Sequence, residues 1–234
     1  MTFGDNGSMI RTVFRGDDAG SCISANEAIA EAARFGVLRN VSVMACGPAL
    51  THAAERLRGL DICVGLHVTL SSEWERVKWG PVADDVPDLV EPDGSFTAEP
   101  GALNRRGFNL GQAMVEVRAQ LDRLREVGLP AAYLDEHMGV GWLPGFRDAL
   151  IQFCREEGLL AVCTLGLPYL SAEETGTKDG VFVTHPGRIA EDMIAMTLPG
   201  MPEGQVAKER DADRRLLLNP RLRESTSITY LEAA

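Results

Sequence analysis

Two adjacent carboxylates, Asp17 and Asp18, end the short apolar run that begins at Val13, and Gly20 then turns the backbone toward a helix signal. Bringing two like charges together at a buried strand end is costly unless a cation offsets them. The pair is therefore either a solvated turn or one half of a metal site. Of only four histidines, His67, His137 and His185 fall at or near the ends of apolar runs that read as strands. Taken singly, each has an ordinary structural explanation. Taken together they point further, because the carboxyl ends of the strands in a parallel α/β sheet lie on one side. One carboxylate oxygen and two imidazoles, with positions left for water and substrate, suit zinc and several transition ions. Such an ion acidifies bound water and polarises a carbonyl, so an amide can be hydrolysed with a nearby carboxylate as base and a histidine as proton donor. The fourth histidine, His52, sits on the polar side of its helix and receives no role.

The elements that must position these groups alternate. Val41–Cys46, Ile62–Leu70, Ala131–His137, Leu159–Cys163 and Val181–Thr184 read as strands, and a last short strand is expected over Ser227–Tyr230. Between them, apolar stripes at helical spacing mark helices after Ser24, after Gly47-Pro48, over Asn109–Gly128, over Pro144–Gly158 and over Gln205–Leu218. Ser24 to Glu27 has the form of a capping box with Ile23 and Ala28 as a staple, and Gly36 suits a left-handed helix end. Period-two alternation places His67 with Gly65 and Thr69, opposite Val64, Leu66 and Val68; it also places Asp135 with His137 and Glu136 opposite. Strands alternating with helices argue for a parallel sheet, open or closed into a barrel.

Residues 71–108 have no defensible period and read as a long functional loop or lid leaving the strand that carries His67. Trp74 and Trp79 lie in it, either as platforms for a sugar ring or as packing for the loop.

At 234 residues, with 45% apolar and 24% charged residues, the chain is expected to form one soluble domain over residues 1–234. Its net charge of −11 argues against nucleic acid, which needs a basic stripe. Five cysteines, Cys22, Cys46, Cys63, Cys154 and Cys163, form neither a paired framework nor a CxxC spacing, and Cys46, Cys63 and Cys163 fall in strand-like runs. The stretch Met1–Asn6 lacks the features of a signal peptide and no apolar run is long enough for a membrane span, so the cytoplasm is the expected compartment.

Several motifs occur in order over nearly the whole chain: Asp17-Asp18-Ala19-Gly20 with Asn26, Ser42-Val43-Met44 with Gly47-Pro48, and Gly65-Leu66-His67-Val68-Thr69-Leu70. They are followed by Leu134-Asp135-Glu136-His137, His185-Pro186-Gly187 and Glu209-Arg210. In this the chain resembles the YdjC-like, or ChbG-type, carbohydrate deacetylases. The resemblance implies a distorted TIM-like (β/α) barrel of the polysaccharide-deacetylase type, a divalent metal ion, hydrolysis of an acetyl group from an N-acetylated amino sugar, and a homodimer. It implies Asp17 as catalytic base, Asp18, His67 and His137 as metal ligands, and His185 as proton donor. Arg15, Trp74, Trp79 and Asp135 are candidate substrate contacts. Zinc or magnesium is the expected ion, with manganese or nickel as further possibilities.

Departures from the family pattern are also visible. Arg15-Gly16 stands where many members have Asn-Ala, Ala19 replaces an aromatic residue, and Met138-Gly139 follows His137 where many have further histidines. These imply a retained metal and a different substrate. Two other readings are a metal-dependent phosphoesterase, for which Arg15 and Arg188 would supply positive charge, and a non-catalytic sugar-binding protein on the same barrel.

Overall fold

The computed structural model describes residues 10–224 and 226–234; Met1–Asn6, where the absence of a signal peptide was read, lies outside them. The chain alternates strand and helix: β1 (Arg11–Ala19), α1 (Ile23–Phe35), β2 (Asn40–Val43), α2 (Leu50–Leu57) and β3 (Cys63–Val68). After a long connection come α3 (Pro100–Arg106), α4 (Leu110–Glu126), β4 (Tyr133–Glu136), α5 (Phe146–Glu157) and β5 (Leu160–Ala161). Then follow β6 (Gly180–Thr184), α6 (Glu191–Ile194), α7 (Gln205–Leu217), β7 (Thr226–Ser227) and α8 (Tyr230–Ala233). All pairings between these strands are parallel, in the order β5-β4-β3-β2-β1-β6, with β7 also pairing β1. The result is a distorted barrel left unclosed, since the edge strands β5 and β6 do not pair with each other, although Ala161 and Val181 from the two line one cavity.

Side-chain alternation sorts the strands into two faces. Phe14, Val41, Val43, Val64, Leu66, Val68 and Leu134 point outward and meet the apolar stripes of α1, α2, α4 and α5. The inward columns begin apolar, with Val13, Cys63, Tyr133 and Val181 packed on Ile228 and Tyr230. Further along the same columns stand Arg15 and Asp17, Ser42, His67, and Asp135. In β1, β3 and β4 the column thus turns from apolar to ionisable toward its carboxyl end, the end at which barrels build their sites, while in β2 it is polar throughout, with Asn40 and Ser42.

Gly65 shows how tightly this interior is fitted. A Cβ there would lie 2.1 Å from the Tyr133 ring, which fills the space a side chain would need. Tyr133 in turn sets Ser42, whose Oγ is 2.9 Å from the phenol oxygen and donates to Asp135 Oδ2 at 2.7 Å.

Local expectations fail where tertiary contacts replace helix capping. The cap of α1 is Cys22, whose Sγ accepts from the Ala25 amide; Ser24 is turned away to Asp192, and Glu27 pairs with Arg56. Ile23 is 55% exposed and staples nothing. Gly36 ends α1 at φ −114°, not left-handed; it must be small because a Cβ would meet the Leu217 carbonyl at 2.4 Å. Cys46 lies in a turn beyond β2, and Cys163 is exposed in a 3-10 turn that cuts β5 to two residues. The expected last strand splits into β7 and the capped helix α8. Among the described residues no helix is long and apolar enough to cross a membrane.

Candidate active site

Asp17 and Asp18 are consecutive in a strand, so alternation would send them to opposite faces. Both nevertheless line one cavity of about 550 Å³ at the carboxyl end of the barrel. The β1–β2 register shifts between Gly16 and Ala19, and Asp18 takes a left-handed φ of 65°. This bulge re-aims the second carboxylate, a common use of bulges beside sites. The left-handed state of a non-glycine residue costs roughly 1–3 kcal/mol and persists only where surrounding contacts enforce it. Here they do so through Asn26, whose Oδ1 accepts from the Gly20 amide at 2.7 Å while its Nδ2 donates to Ala49 O at 3.0 Å.

Asp18 meets His67 from β3 and His137 from the end of β4. Its Oδ1 is 3.2 Å from His137 Nδ1 and 3.5 Å from His67 Nε2, and these two ring nitrogens are 3.2 Å apart. All three residues are buried. Asp18 Oδ1 has no hydrogen-bond partner, whereas Oδ2 accepts from Arg210 Nη2 at 2.6 Å. A buried, unmatched carboxylate oxygen beside two converging imidazole nitrogens could hold a divalent cation that accepts nitrogen and oxygen donors, and the residues fit one. Asp17, His67 and Asp135 also cluster, but both oxygens of Asp17 and Oδ2 of Asp135 are engaged by Arg15, and Asp135 Oδ1 by His67 Nδ1.

Each imidazole is held from behind by a carboxylate. Asp135 Oδ1 lies 2.8 Å from His67 Nδ1, and Glu73 Oε2 lies 3.1 Å from His137 Nε2. Carboxylates in this position fix ring orientation and tautomer in metal sites. Burial disfavours the imidazolium of His67, but Asp135, Asp17 and Asp18 outweigh it and raise its pKa to about 10. For His137 the same opposition, with Asp18 and Glu73 prevailing over burial, gives about 9. Burial pushes Asp18 upward, while Arg210 and the two histidines hold it well below the usual carboxylate range.

The other expected residues are placed as follows. Asp17 accepts two bonds from Arg15, from Nε and Nη2, each at 2.7 Å. Arg15 is buried and also meets Asp135 Oδ2 at 2.9 Å and the Tyr230 hydroxyl at 3.2 Å, so it is a strut between acids with its fork fully engaged. His185 lies exposed on the cavity lining, its amide donating to Asp213 Oδ2 at 2.7 Å. Trp74 lines the cavity, 4% exposed, with the Arg210 guanidinium 5.2 Å from its ring centroid. Trp79 does not line it. This indole is buried beside His137 and donates to Ser71 O at 2.7 Å, which is the loop-packing alternative of the two readings.

Residues 71–108 contain α3, which the missing periodicity hid, and deliver Glu73 and Trp74 to the cavity. Asp213 is not singled out from sequence, and Glu73 and Arg210 stand there only within motifs shared with relatives, Ser72-Glu73-Trp74 and Glu209-Arg210. None of the three is signalled by spacing, because each acts across long separations.

The model of the YdjC-like protein family matches residues 11–178. A carbohydrate deacetylase of Mus musculus is 32% identical over 211 residues, covering 82% of this chain and 67% of its own length. One from Oceanobacillus iheyensis is 23% identical, covering 79% and 88%. The chain spans about half the length of other curated relatives, such as the human carbohydrate deacetylase, of which 45% is covered at 35% identity. A crystal structure of an Enterococcus faecalis V583 protein superposes with a TM-score of 0.80 at 18% identity, over 97% of this chain and all of that one, which shows the fold. The bulged acidic strand end, the two carboxylate-backed histidines and the family match lead to one assignment: the chain belongs to the YdjC-like family.

Proposed function

We propose that the protein is a metal-dependent carbohydrate deacetylase that hydrolyses the amide of an N-acetylated amino sugar. The observation that carries the reading is the unmatched Asp18 Oδ1 facing His67 Nε2 and His137 Nδ1 in the cavity that Asp17 and His185 also line. Asp18, His67 and His137 would hold the ion, and their two nitrogens and one oxygen suit zinc or a similar transition ion better than magnesium, which prefers oxygen donors. When bound, the ion supplies an acidified water and a polarised carbonyl.

The chain's own groups do the rest. Asp17, oriented by the Arg15 fork, receives the proton of the attacking water. His185 hands a proton to the leaving nitrogen, so that the amine departs uncharged and acetate remains. Asp213 fixes the backbone of the turn that carries His185. Glu73 and Asp135 keep the ligand rings in place.

The two arginines that the phosphoesterase reading relies on are engaged, and Arg210, which lines the cavity, is held through Nη2 by Asp18. Arg15 is spent on Asp17 and Asp135, and Arg188 pairs with Glu31 at 3.0 Å. Names carried by relatives, carbohydrate deacetylase in mouse and in Oceanobacillus iheyensis, favour removal of an acetyl group over release of phosphate. The test is acetate release from a panel of N-acetylated sugars by metal-loaded protein, beside phosphate release from sugar phosphates. Acetate release abolished by chelation and restored by metal supports the reading, and phosphate release alone would replace it.

A further inference from the structure

A second cavity of about 350 Å³ lies beside the first and shares Arg15, Glu136, Gly139 and Tyr169 with it. It exists because the barrel is unclosed. β5 ends after Ala161 in the 3-10 turn Val162–Thr164, and β6 is met instead by the segment around Tyr169, through a bridge from Tyr169 to Val181. The space left over is walled by Leu134, Leu150, Ala161, Val162, Leu165 and Val181. Tyr169, 68% exposed, stands on the lining of both cavities.

The two cavities differ in what their polar atoms lack. In the site cavity, Asp18 Oδ1 and Arg210 Nη1 are buried without partners. Among the described residues lining the second cavity, no buried side-chain polar atom is unmatched. Arg15 holds Asp135, the Tyr230 hydroxyl accepts from Arg15, and Glu136 Oε2 takes the Gly141 amide at 2.8 Å and lies 3.9 Å from Arg147. The buried polar atoms there offer a ligand no unmatched partner, whereas the apolar wall would release its water to an aliphatic chain.

We propose that the second cavity is a subsite for an aliphatic chain carried by the substrate whose amide occupies the first, a proposal that rests on the deacetylase reading for its geometry. The chain is borne either on the nitrogen, as an acyl group longer than acetyl, or on the anomeric carbon.

Two substrate series separate these sources: glucosamine acylated on nitrogen with acetyl through octanoyl, and alkyl glycosides of N-acetylglucosamine from methyl through octyl. Both are measured on metal-loaded wild type and on Val162→Trp, which fills the cavity and alters no residue given a role in hydrolysis. In wild type, kcat/KM should rise by roughly fourfold for each of the first few buried methylenes in one series. The variant should be flat while hydrolysing the shortest member at the wild-type rate. Calorimetric binding of the octyl and methyl glycosides, and of the octanoyl and acetyl amides, reads the subsite without turnover. Longer chains should bind more tightly only to wild type. Chain-independent rates and affinities in wild type would overturn the proposal, even if acetate is released normally. If no amide is hydrolysed but chain-dependent binding survives in wild type and vanishes in the variant, the subsite stands and the deacetylase reading falls. Should Val162→Trp not fold, alkylating exposed Cys163, which lines the same cavity, with a bulky maleimide should produce the same block, with Cys163→Ser as the unmodified control.

Discussion

His67 and Asp135 are direct neighbours across the β3–β4 pair, and their side chains meet at 2.8 Å between Nδ1 and Oδ1. Strand register therefore fixes the orientation of a ligand ring: with Nδ1 committed to the carboxylate, Nε2 faces Asp18. Asp135→Asn keeps the volume but loses the charge that makes the ring a better donor. Metal affinity, measured by chelator competition, should fall about 10- to 100-fold. Unchanged affinity would show that register alone suffices.

Glu73 plays the corresponding part for His137 but arrives from the long connection after β3. Replacement by Ala should weaken metal binding by a similar factor of about 10–100, with Glu73→Gln recovering part of the loss. A metal affinity equal to wild type in Glu73→Ala would remove this role.

Asp17 is engaged by Arg15 and lies outside the proposed ligand set. Asp17→Asn should leave metal content at wild-type level while lowering kcat by about 10²- to 10⁴-fold, the usual worth of a positioned base. Loss of metal together with activity would make Asp17 a ligand instead.

Gly65→Ala would drive a methyl group into the Tyr133 ring, which cannot move without disturbing Ser42 and Asp135. Destabilisation of about 1–3 kcal/mol is expected from such overpacking, read as a lower midpoint in urea unfolding. An unshifted midpoint would mean that the interior is looser than its contacts imply.

Burial raises the Asp213 carboxyl above its ordinary value, with the His185 amide only partly opposing it. The folded state therefore holds its proton to higher pH than the unfolded chain, so this residue's contribution to stability declines as pH rises from the unfolded through the folded value. Asp213→Asn keeps an acceptor for the amide without the charge. By calorimetry the variant should gain on wild type in Tm as pH rises through that window and level off above it. A pH-independent difference would contradict the assignment.

Legibility of the sequence followed the range of the forces involved. The alternation of Val64, Leu66 and Val68 against Gly65 and His67 identified β3 and its inward face, because one buried side imposes a strict period. The histidines and paired acids were visible because ionisable residues at strand ends are unusual. What stayed hidden depends on contacts distant in sequence. Ser24 left its capping position for Asp192, Trp79 turned inward beneath the loop, and β5 broke off at Val162. The bulge at Asp18 was equally silent, since no residue type announces a register shift that neighbouring strands impose.

The most direct measurement of the central claim is calorimetric titration of zinc into metal-free protein, for wild type and for Asp18→Ala, His67→Ala and His137→Ala. The account predicts one tight equivalent in wild type and its loss in each variant, with folding confirmed by circular dichroism. Tight binding that persists in all three folded variants would contradict it.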